Sequence, residues 1–205
     1  MGAKVDAKGG GDYERPEAGM VVANCIQCVE LGTHDKVWEG KKSKQVQLLI
    51  VWELDQLMED GKPFVVNWKG TASIGEKANL RKILESWRGK KFTDNELECF
   101  ELKNIIGKPC LINLVEKKAK TGDKIYINVE TVTPLMKGQT APDIQNELVD
   151  FSIDSIGGEE FNKCYDWVKK IIMESDEGVA FAANGGTVAE PAGEEPAVNP
   201  DDIPF

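Results

Sequence analysis

Residues 45–54 read QVQLLIVWEL, with an apolar side chain at every second position from Val46 to Leu54. This two-residue period places those side chains on one face of an extended chain and predicts a β-strand. The flanking stretches, MVVANCIQCVEL at 20–31 and PFVVNWKGTASI from about Phe64, are also rich in β-branched and aromatic residues. The sequence therefore begins with three predicted strands.

The period changes after the third strand. Residues 76–89, EKANLRKILESWRG, carry apolar side chains at helical spacing and end at a glycine. Thr93 followed by Glu96 predicts the capping box of a second helix. GKPCLINLVEKK and IYINVETVTPL then predict two strands around the turn KTGDK. Three strands, a helical insertion and two more strands favour a mainly β fold, the five-stranded OB-fold barrel.

The chain is predicted to have four parts. Residues 1–18 lack a hydrophobic period and are predicted to be a disordered arm, and residues 19–138 form the barrel domain. Residues 139–173 form an appendage whose single amphipathic helix, 159–173, is expected to pack on the barrel. Residues 174–205 are rich in Gly, Ala, Pro and Glu and are predicted to be a disordered acidic tail.

Charge is distributed unevenly along the chain. The net charge is −10, but residues 174–205 hold eight acids and neither Lys nor Arg, which leaves 27 acids against 25 bases in residues 1–173. A near-neutral body can present a local basic face, and a block of like charge is typical of an interaction tail.

Several other classes of protein are disfavoured. Cys25 and Cys28 form a C-x-x-C, but a strand would point these two thiols to opposite faces, and there is neither a second such pair nor more than one histidine. The acids Glu53, Asp55, Glu59 and Asp60 look like a solvated turn rather than a Mg²⁺ site. We expect no metal, no cofactor, no enzymatic activity, no membrane span and a cytoplasmic location.

The sequence ends Asp201-Asp202-Ile203-Pro204-Phe205, here called the tip. Phe205 and Ile203 can fill apolar pockets, a basic site can bind the terminal carboxylate, and the acids steer the peptide toward basic surfaces. The tip resembles that of bacterial single-stranded DNA-binding proteins, which ends in acids followed by Ile-Pro-Phe. That resemblance implies recruitment of replication and repair proteins.

The body resembles another group of proteins. The motifs Trp87-Arg88-Gly89, Phe92-Thr93, residues 102–109 and residues 134–138 are similar to those of bacteriophage OB-fold single-stranded DNA-binding proteins. The resemblance covers residues 20–138 and implies a role in phage DNA replication, recombination and repair, in the cytoplasm of the infected host. It does not extend to the barrel of the bacterial tetrameric proteins, so it leaves self-association on DNA open.

Binding of single-stranded DNA without sequence preference requires cations along a groove and aromatic faces for stacking. The candidate DNA-binding residues lie in four clusters, of which the first and last fall on the two loops that flank an OB-fold binding face. They are Trp38, Lys41, Lys42 and Lys44; Trp68 and Lys69; Arg88, Lys90 and Lys91; and Lys117, Lys118, Lys120, Lys124 and Tyr126.

Each cluster also has a structural explanation. Lysines at hairpin tips are often only solvated charge that protects a sheet edge. Trp52 and Trp87 lie on apolar faces and are expected in the core, whereas Trp68 fits either role. For the whole chain, the alternatives are an adaptor or decoy that captures host replication proteins through the tip, a strand-annealing recombination mediator and a metal-dependent nuclease.

Overall fold

The computed structural model describes residues 14–38, 40–118 and 125–188, without the side chain of Trp38. Residues 1–13 and 189–205, which were predicted to be disordered, lie outside these ranges. Residues 14–18, predicted to be part of the same arm, are instead hydrogen-bonded to the body. Arg15 Nη1 donates to the carbonyl of Ile125 at 3.1 Å, and the Glu14 carboxylate accepts from Glu59 N at 2.7 Å.

The described chain is mainly β with several helices, as predicted. Six strands form one sheet: β1 Gly19–Trp38, β2 Lys41–Leu57, β3 Pro63–Thr71, β4 Pro109–Lys118, β5 Ile125–Thr133 and β6 Val149–Phe151. The helices between β3 and β4 are α1 Asn79–Arg88, α2 Asp94–Glu98 and a 3₁₀ turn, Leu102–Ile105. The predicted capping box of α2 is present, with Thr93 and Glu96 bonded reciprocally.

The sheet is open rather than a closed barrel. Its hydrogen-bonded order is β3-β2-β1-β4-β5, all antiparallel, and the short β6 adds to β1 in parallel. In the described ranges no ladder joins the edge strands β3 and β5, although their Cα atoms come within 8 Å of each other. Helix α1 packs against both edge strands. Its apolar face therefore covers the gap between β3 and β5, where one more ladder would close the sheet into a barrel.

The first of two hydrophobic cores lies between α1 and the concave face of the sheet. Its largest fully buried side chain is Trp52, which packs at 6.0 Å between ring centroids against Trp87 from α1. The apolar stripe of α1 also contributes Leu80 and Leu84, as its helical spacing predicted. Trp52 and Trp87 therefore have structural roles.

Two β-bulges bend β1. Its register against β2 shifts between Cys25 and Gln27 and again between Glu30 and Gly32. The first bulge inserts one residue, Ile26, and so turns Cys28 to the face that Cys25 occupies. Both thiols lie in the first core, and the prediction that they point to opposite faces was wrong.

The second core lies on the opposite face of β1 and β2 and is covered by the appendage. The appendage comprises β6, a 3₁₀ turn Ile153–Ser155, α3 Glu159–Lys163, α4 Asp166–Met173 and α5 Asp176–Ala183. Phe161, Val168 and Ile172 pack there against Leu49 and Val51 of β2. The single helix predicted at 159–173 is interrupted by extended backbone at Cys164 and Tyr165.

Helix α5 occupies residues that were predicted to be disordered. Ser175 is fully buried, accepts from Gly178 N at 3.0 Å and so caps the helix. Gly178 is buried against α4. A cap and a close backbone contact order a segment whose composition alone is typical of a linker.

Glu53 is also placed differently from the prediction. Instead of lying in a solvated turn, it is 1% exposed on β2. Its carboxylate accepts from Gln145 N, Asn146 N and Asn146 Nδ2 at 2.6–3.2 Å. These bonds stabilise the buried charge and join the segment before β6 to the sheet.

None of the helices in the described ranges has the length and apolar character needed to cross a bilayer.

The close contact of α5 with α4 can be tested by a glycine substitution. A Cβ on Gly178 would overlap the carbonyl oxygen of Ile172 and lie 2.6 Å from Met173 Cα. Gly178→Ala is expected to destabilise the protein by about 1–3 kcal/mol in urea unfolding, despite the higher helix propensity of alanine. Gly75→Ala is the control, because its Cβ would meet only Ser73 Oγ, at 3.6 Å. Equal stability of the two variants would contradict the packing.

Candidate nucleic-acid interface

The first predicted cluster lies on a regular β-ribbon. Strands β1 and β2 remain paired to the end of the hairpin, where Val37 faces Lys42 and Trp38 faces Lys41. Lys41 and Lys42 are exposed, and Val37 is 61% exposed. The hairpin therefore presents two cations beside an apolar side chain.

Lys44, lower on the same hairpin, is paired with the appendage. Its Nζ lies 2.6 Å from Asp176 Oδ2 of α5, and this hydrogen bond raises the pKa of Lys44. The next residue of α5, Glu177, accepts from both N and Oγ1 of Thr33, each at 2.7 Å. The acidic start of α5 is thus attached to the base of the basic hairpin.

Trp68 and Lys69, predicted as one cluster, lie on opposite faces of β3. Trp68 is half-buried at the margin of the first core, and its six-membered ring lies where a Cβ on Gly70 would stand. Lys69 is half-buried on the other face, where burial lowers its pKa and the nearby Glu174 carboxylate opposes that shift. The alternation of the strand separates them, so a single strand of DNA cannot contact both at one place.

The cluster near α2 is a compact set of paired side chains. The Arg88 guanidinium lies 4.2 Å from the Phe92 ring centroid and pairs with Glu96. Lys90 Nζ lies 3.5 Å from the same carboxylate. Hydrogen bonds from Arg88 and from the backbone of Thr93 lower the pKa of Glu96 to about 2. Lys90 and Lys91 are both exposed, whereas Arg88 is half-buried.

The last cluster lies on the hairpin of β4 and β5. Lys117 faces Tyr126 across the ladder, and its Nζ lies 3.5 Å from Glu130. Lys118 is exposed, whereas Tyr126 is half-buried. Lys120 and Lys124 lie outside the described residues.

The two hairpins lie at opposite ends of β1. The β1–β2 hairpin extends from its last residues, and Gly19 at its start pairs with Leu114, beyond which β4 continues to Lys118. The sheet surface between the hairpins, around Leu49 and Val51, is buried under the appendage. Residues 48–52, LLIVW, lack the alternating polarity of a strand with one exposed face. This continuous apolar run was the sequence signal that β2 is buried on both faces.

Cys25, Cys28 and Cys110 are buried together in the first core. In the described part of the chain no three His, Cys, Asp or Glu side chains stand close enough to hold an ion. In the first core, Cys25 Sγ donates to the carbonyl of Gln27 at 4.0 Å and Cys28 Sγ donates to the carbonyl of Leu102 at 3.9 Å, close to Cys110. Burial raises the pKa of Cys25 and of Cys110, which keeps both thiols protonated and unreactive.

Comparison with known proteins adds no further constraint on this interface. No protein-family model matches the sequence, and no curated protein is significantly similar to it. The predicted docking residues Asp201, Asp202, Ile203, Pro204 and Phe205 lie outside the described residues. The features that bear on function are therefore the two hairpins, Trp68 and the sequence of the tip.

The lowered pKa of Glu96 predicts a pH-dependent contribution to stability. The carboxyl titrates near 4.5 when unfolded and near 2 when folded. Its contribution is therefore complete above pH 4.5 and is lost as the pH falls toward 2. In urea unfolding, Glu96→Gln should be less stable than the parent at pH 7, and the difference should shrink below pH 4.5.

Glu76→Gln, at an exposed position before α1, is the matched control and should resemble the parent throughout. A difference between Glu96→Gln and the parent that stays constant from pH 7 to pH 3 would contradict the ion pair.

Proposed function

We propose that this protein binds single-stranded DNA without sequence preference and recruits replication and repair proteins through its tip. The observation that carries the DNA-binding part is the pair of basic hairpins at opposite ends of one curved sheet. Lys41 and Lys42 are exposed on one hairpin and Lys118 on the other. Separated cations of this kind suit a flexible polyanion that can follow a curved surface.

The sheet supports the proposal through its strand order. An OB-fold is a five-stranded, partly open barrel whose loops 1–2 and 4–5 flank the ligand. We propose that the open sheet, with α1 between its edges, is a variant of that architecture. The β1–β2 and β4–β5 hairpins correspond to those two loops.

Aromatic stacking would supply a second source of affinity. Trp68 lies over Gly70 at the margin of the core, and the absence of a Cβ at Gly70 is what allows the ring to lie along the strand. A half-buried, fixed indole is a good stacking surface because little side-chain entropy is lost on binding. Each stacked base contributes roughly 1–3 kcal/mol.

The tip supports the recruiting part of the proposal. Its acids and two apolar side chains have the composition of a docking peptide that follows an acidic segment. The resemblance of the body to phage proteins supports a role in phage DNA replication, recombination and repair, inside the infected cell.

The central test is a titration with oligo-dT at several salt concentrations, followed by tryptophan fluorescence. Binding should quench emission, and the logarithm of affinity should fall with log salt by about 0.7 for each phosphate contact. Lys41→Ala/Lys42→Ala should weaken binding and reduce this slope by roughly 1.4. The control, Lys137→Ala/Lys170→Ala, removes two exposed lysines elsewhere.

A slope that falls equally in both double variants would mean that only net charge matters. A full-length chain that shows neither quenching nor salt dependence would overturn DNA binding.

The contact of α5 with Lys44 predicts a gain of affinity. Asp176→Asn removes the carboxylate that occupies this lysine. Binding of oligo-dT at 50 mM salt should become tighter by about two- to fivefold, the range expected for an exposed ion pair. Asp154→Asn removes an exposed acid elsewhere in the appendage and is the control for net charge. Equal gains in the two variants would exclude a specific role of the contact.

An adaptor that acts through the tip and binds DNA weakly is the second candidate. The covered surface between the hairpins and the ion pairs of Lys44, Arg88 and Lys117 favour it. The titration separates the two candidates, since the adaptor would capture partner proteins without a measurable affinity for oligo-dT.

A further inference from the structure

A cleft lies between the C-terminal end of α1 and the 3₁₀ turn Leu102–Ile105. It consists of two adjoining cavities of about 410 and 250 Å³, which share Arg88, Phe100 and Asn104 as lining residues. Cavities of this size fall in the range of sites that hold a small organic group.

The cleft lies beside the middle of β1. The carbonyl of Lys108, which lines the smaller cavity, accepts from Cys25 N at 3.0 Å, and Gly107 N donates to the carbonyl of Cys25 at 2.8 Å. The two hairpins extend from the ends of β1, Gly19 and Trp38. At about 3.3 Å per residue, Cys25 is at most roughly 20 Å and 43 Å from these ends. A strand of DNA that follows β1 from one hairpin to the other therefore comes close to the cleft.

Aromatic rings form much of the wall of the cleft. Trp87 and Phe92 are buried, and the half-buried Phe100 lines both cavities. Phe92 packs edge-on against Phe100 at 5.0 Å between ring centroids and lies 4.2 Å from the guanidinium carbon of Arg88. These contacts fix the Phe100 ring, so a base that stacks on it would cost little side-chain entropy.

Hydrogen-bonding groups line the same cleft. Asn95 lines the larger cavity and Asn104 lines both, and each is exposed. A side-chain amide has both donors and an acceptor, so it can bond to the polar edge of any base. Arg88 pairs with Glu96 through Nη2, but its Nη1 is buried and lacks a hydrogen-bond partner in the described structure. A buried donor without a partner is costly, which favours a ligand that brings an anionic acceptor.

We propose that the cleft binds one unstacked nucleotide of single-stranded DNA. Its base would stack on Phe100 and bond to Asn104. Its phosphate would lie between Arg88 and Lys108, which both line the smaller cavity. The combination of ring, amide and cation favours a nucleotide over an apolar peptide, which would not require the amides. The inference rests on the proposed DNA binding and adds to it a third contact, on the helical insertion.

A third contact would fix the path of the strand between the hairpins. The hairpins alone hold phosphates at two places and leave the bases between them unbound. A nucleotide anchored beside the middle of β1 would raise the effective concentration of its neighbours at both hairpins. The three places should therefore bind one strand cooperatively.

The exposed Cys99 provides a test in the full-length chain. It lines the larger cavity, and the other four cysteines are buried. Alkylation of Cys99 by N-ethylmaleimide, followed by mass spectrometry, should become several-fold slower at saturating oligo-dT. Cys99→Ser is the control for the reagent, because the folded variant should take up no label.

Two variants separate the parts of the contact. Phe100→Leu keeps an apolar side chain but removes the aromatic face, so affinity for oligo-dT should fall by about five- to tenfold with the salt dependence unchanged. Lys108→Ala should reduce the slope of log affinity against log salt by about 0.7. In both variants oligo-dT should protect Cys99 less. Lys82→Ala removes an exposed lysine of α1 that does not line the cleft and should leave the slope and the protection unchanged.

Circular dichroism melting identifies any variant that loses its fold, and Lys108→Ala, at an exposed site, keeps the test valid if Phe100→Leu unfolds. Oligo-dT that binds and quenches tryptophan emission but leaves alkylation of Cys99 unchanged would overturn the cleft site alone. Equal slopes in Lys108→Ala and Lys82→Ala would do the same. Protection of Cys99 by a partner protein but not by oligo-dT would assign the cleft to protein docking and also overturn it. A chain without salt-dependent binding of oligo-dT would fail both proposals.

Discussion

The rest of the fold depends on the pairing of β1. This strand forms ladders with β2, β4 and β6 and contributes side chains to both cores. One regular, straight strand could not form all three ladders, because its path would not reach both β4 and β6. Its fixed alternation would also not supply both cores as observed. The bulges at Ile26 and Leu31 add curvature and change the facing of the residues that follow. The open, curved sheet follows from them.

A sheet with two buried faces restricts where a ligand can bind. Van der Waals packing of the appendage against Leu49 and Val51 removes the middle of the sheet from solvent. Exposed positions remain at the hairpins, at the margin near Trp68 and on the helical insertion. Long, flexible ligands such as single-stranded DNA or a terminal peptide can use separated positions of this kind, whereas a compact small molecule would need one enclosed site.

Local signals predicted the elements better than their assembly. The strand at residues 45–54, the stripe of α1 and the capping box at Thr93 depend on neighbours in sequence, and all three were predicted. The bulges, the burial of Glu53 and the order of α5 depend on distant partners. In the sequence, Ser175 is indistinguishable from a serine in a linker. In the fold it is buried against Gly32, 143 positions earlier, whose missing Cβ leaves room for it. Such long-range fit leaves no periodic trace in the sequence.

The predicted cations show why clusters of charge in a sequence overstate a binding surface. Lys44, Arg88 and Lys117 each have an acidic partner in the fold. A phosphate that binds such a cation replaces a carboxylate, so the gain is the difference between two ion pairs rather than the whole of one. A phosphate that binds the exposed Lys41, Lys42 or Lys118 would gain more binding free energy. Affinity for a polyanion should therefore concentrate at the hairpin tips, and the paired cations should set how strongly the acidic segments of the same chain compete with it.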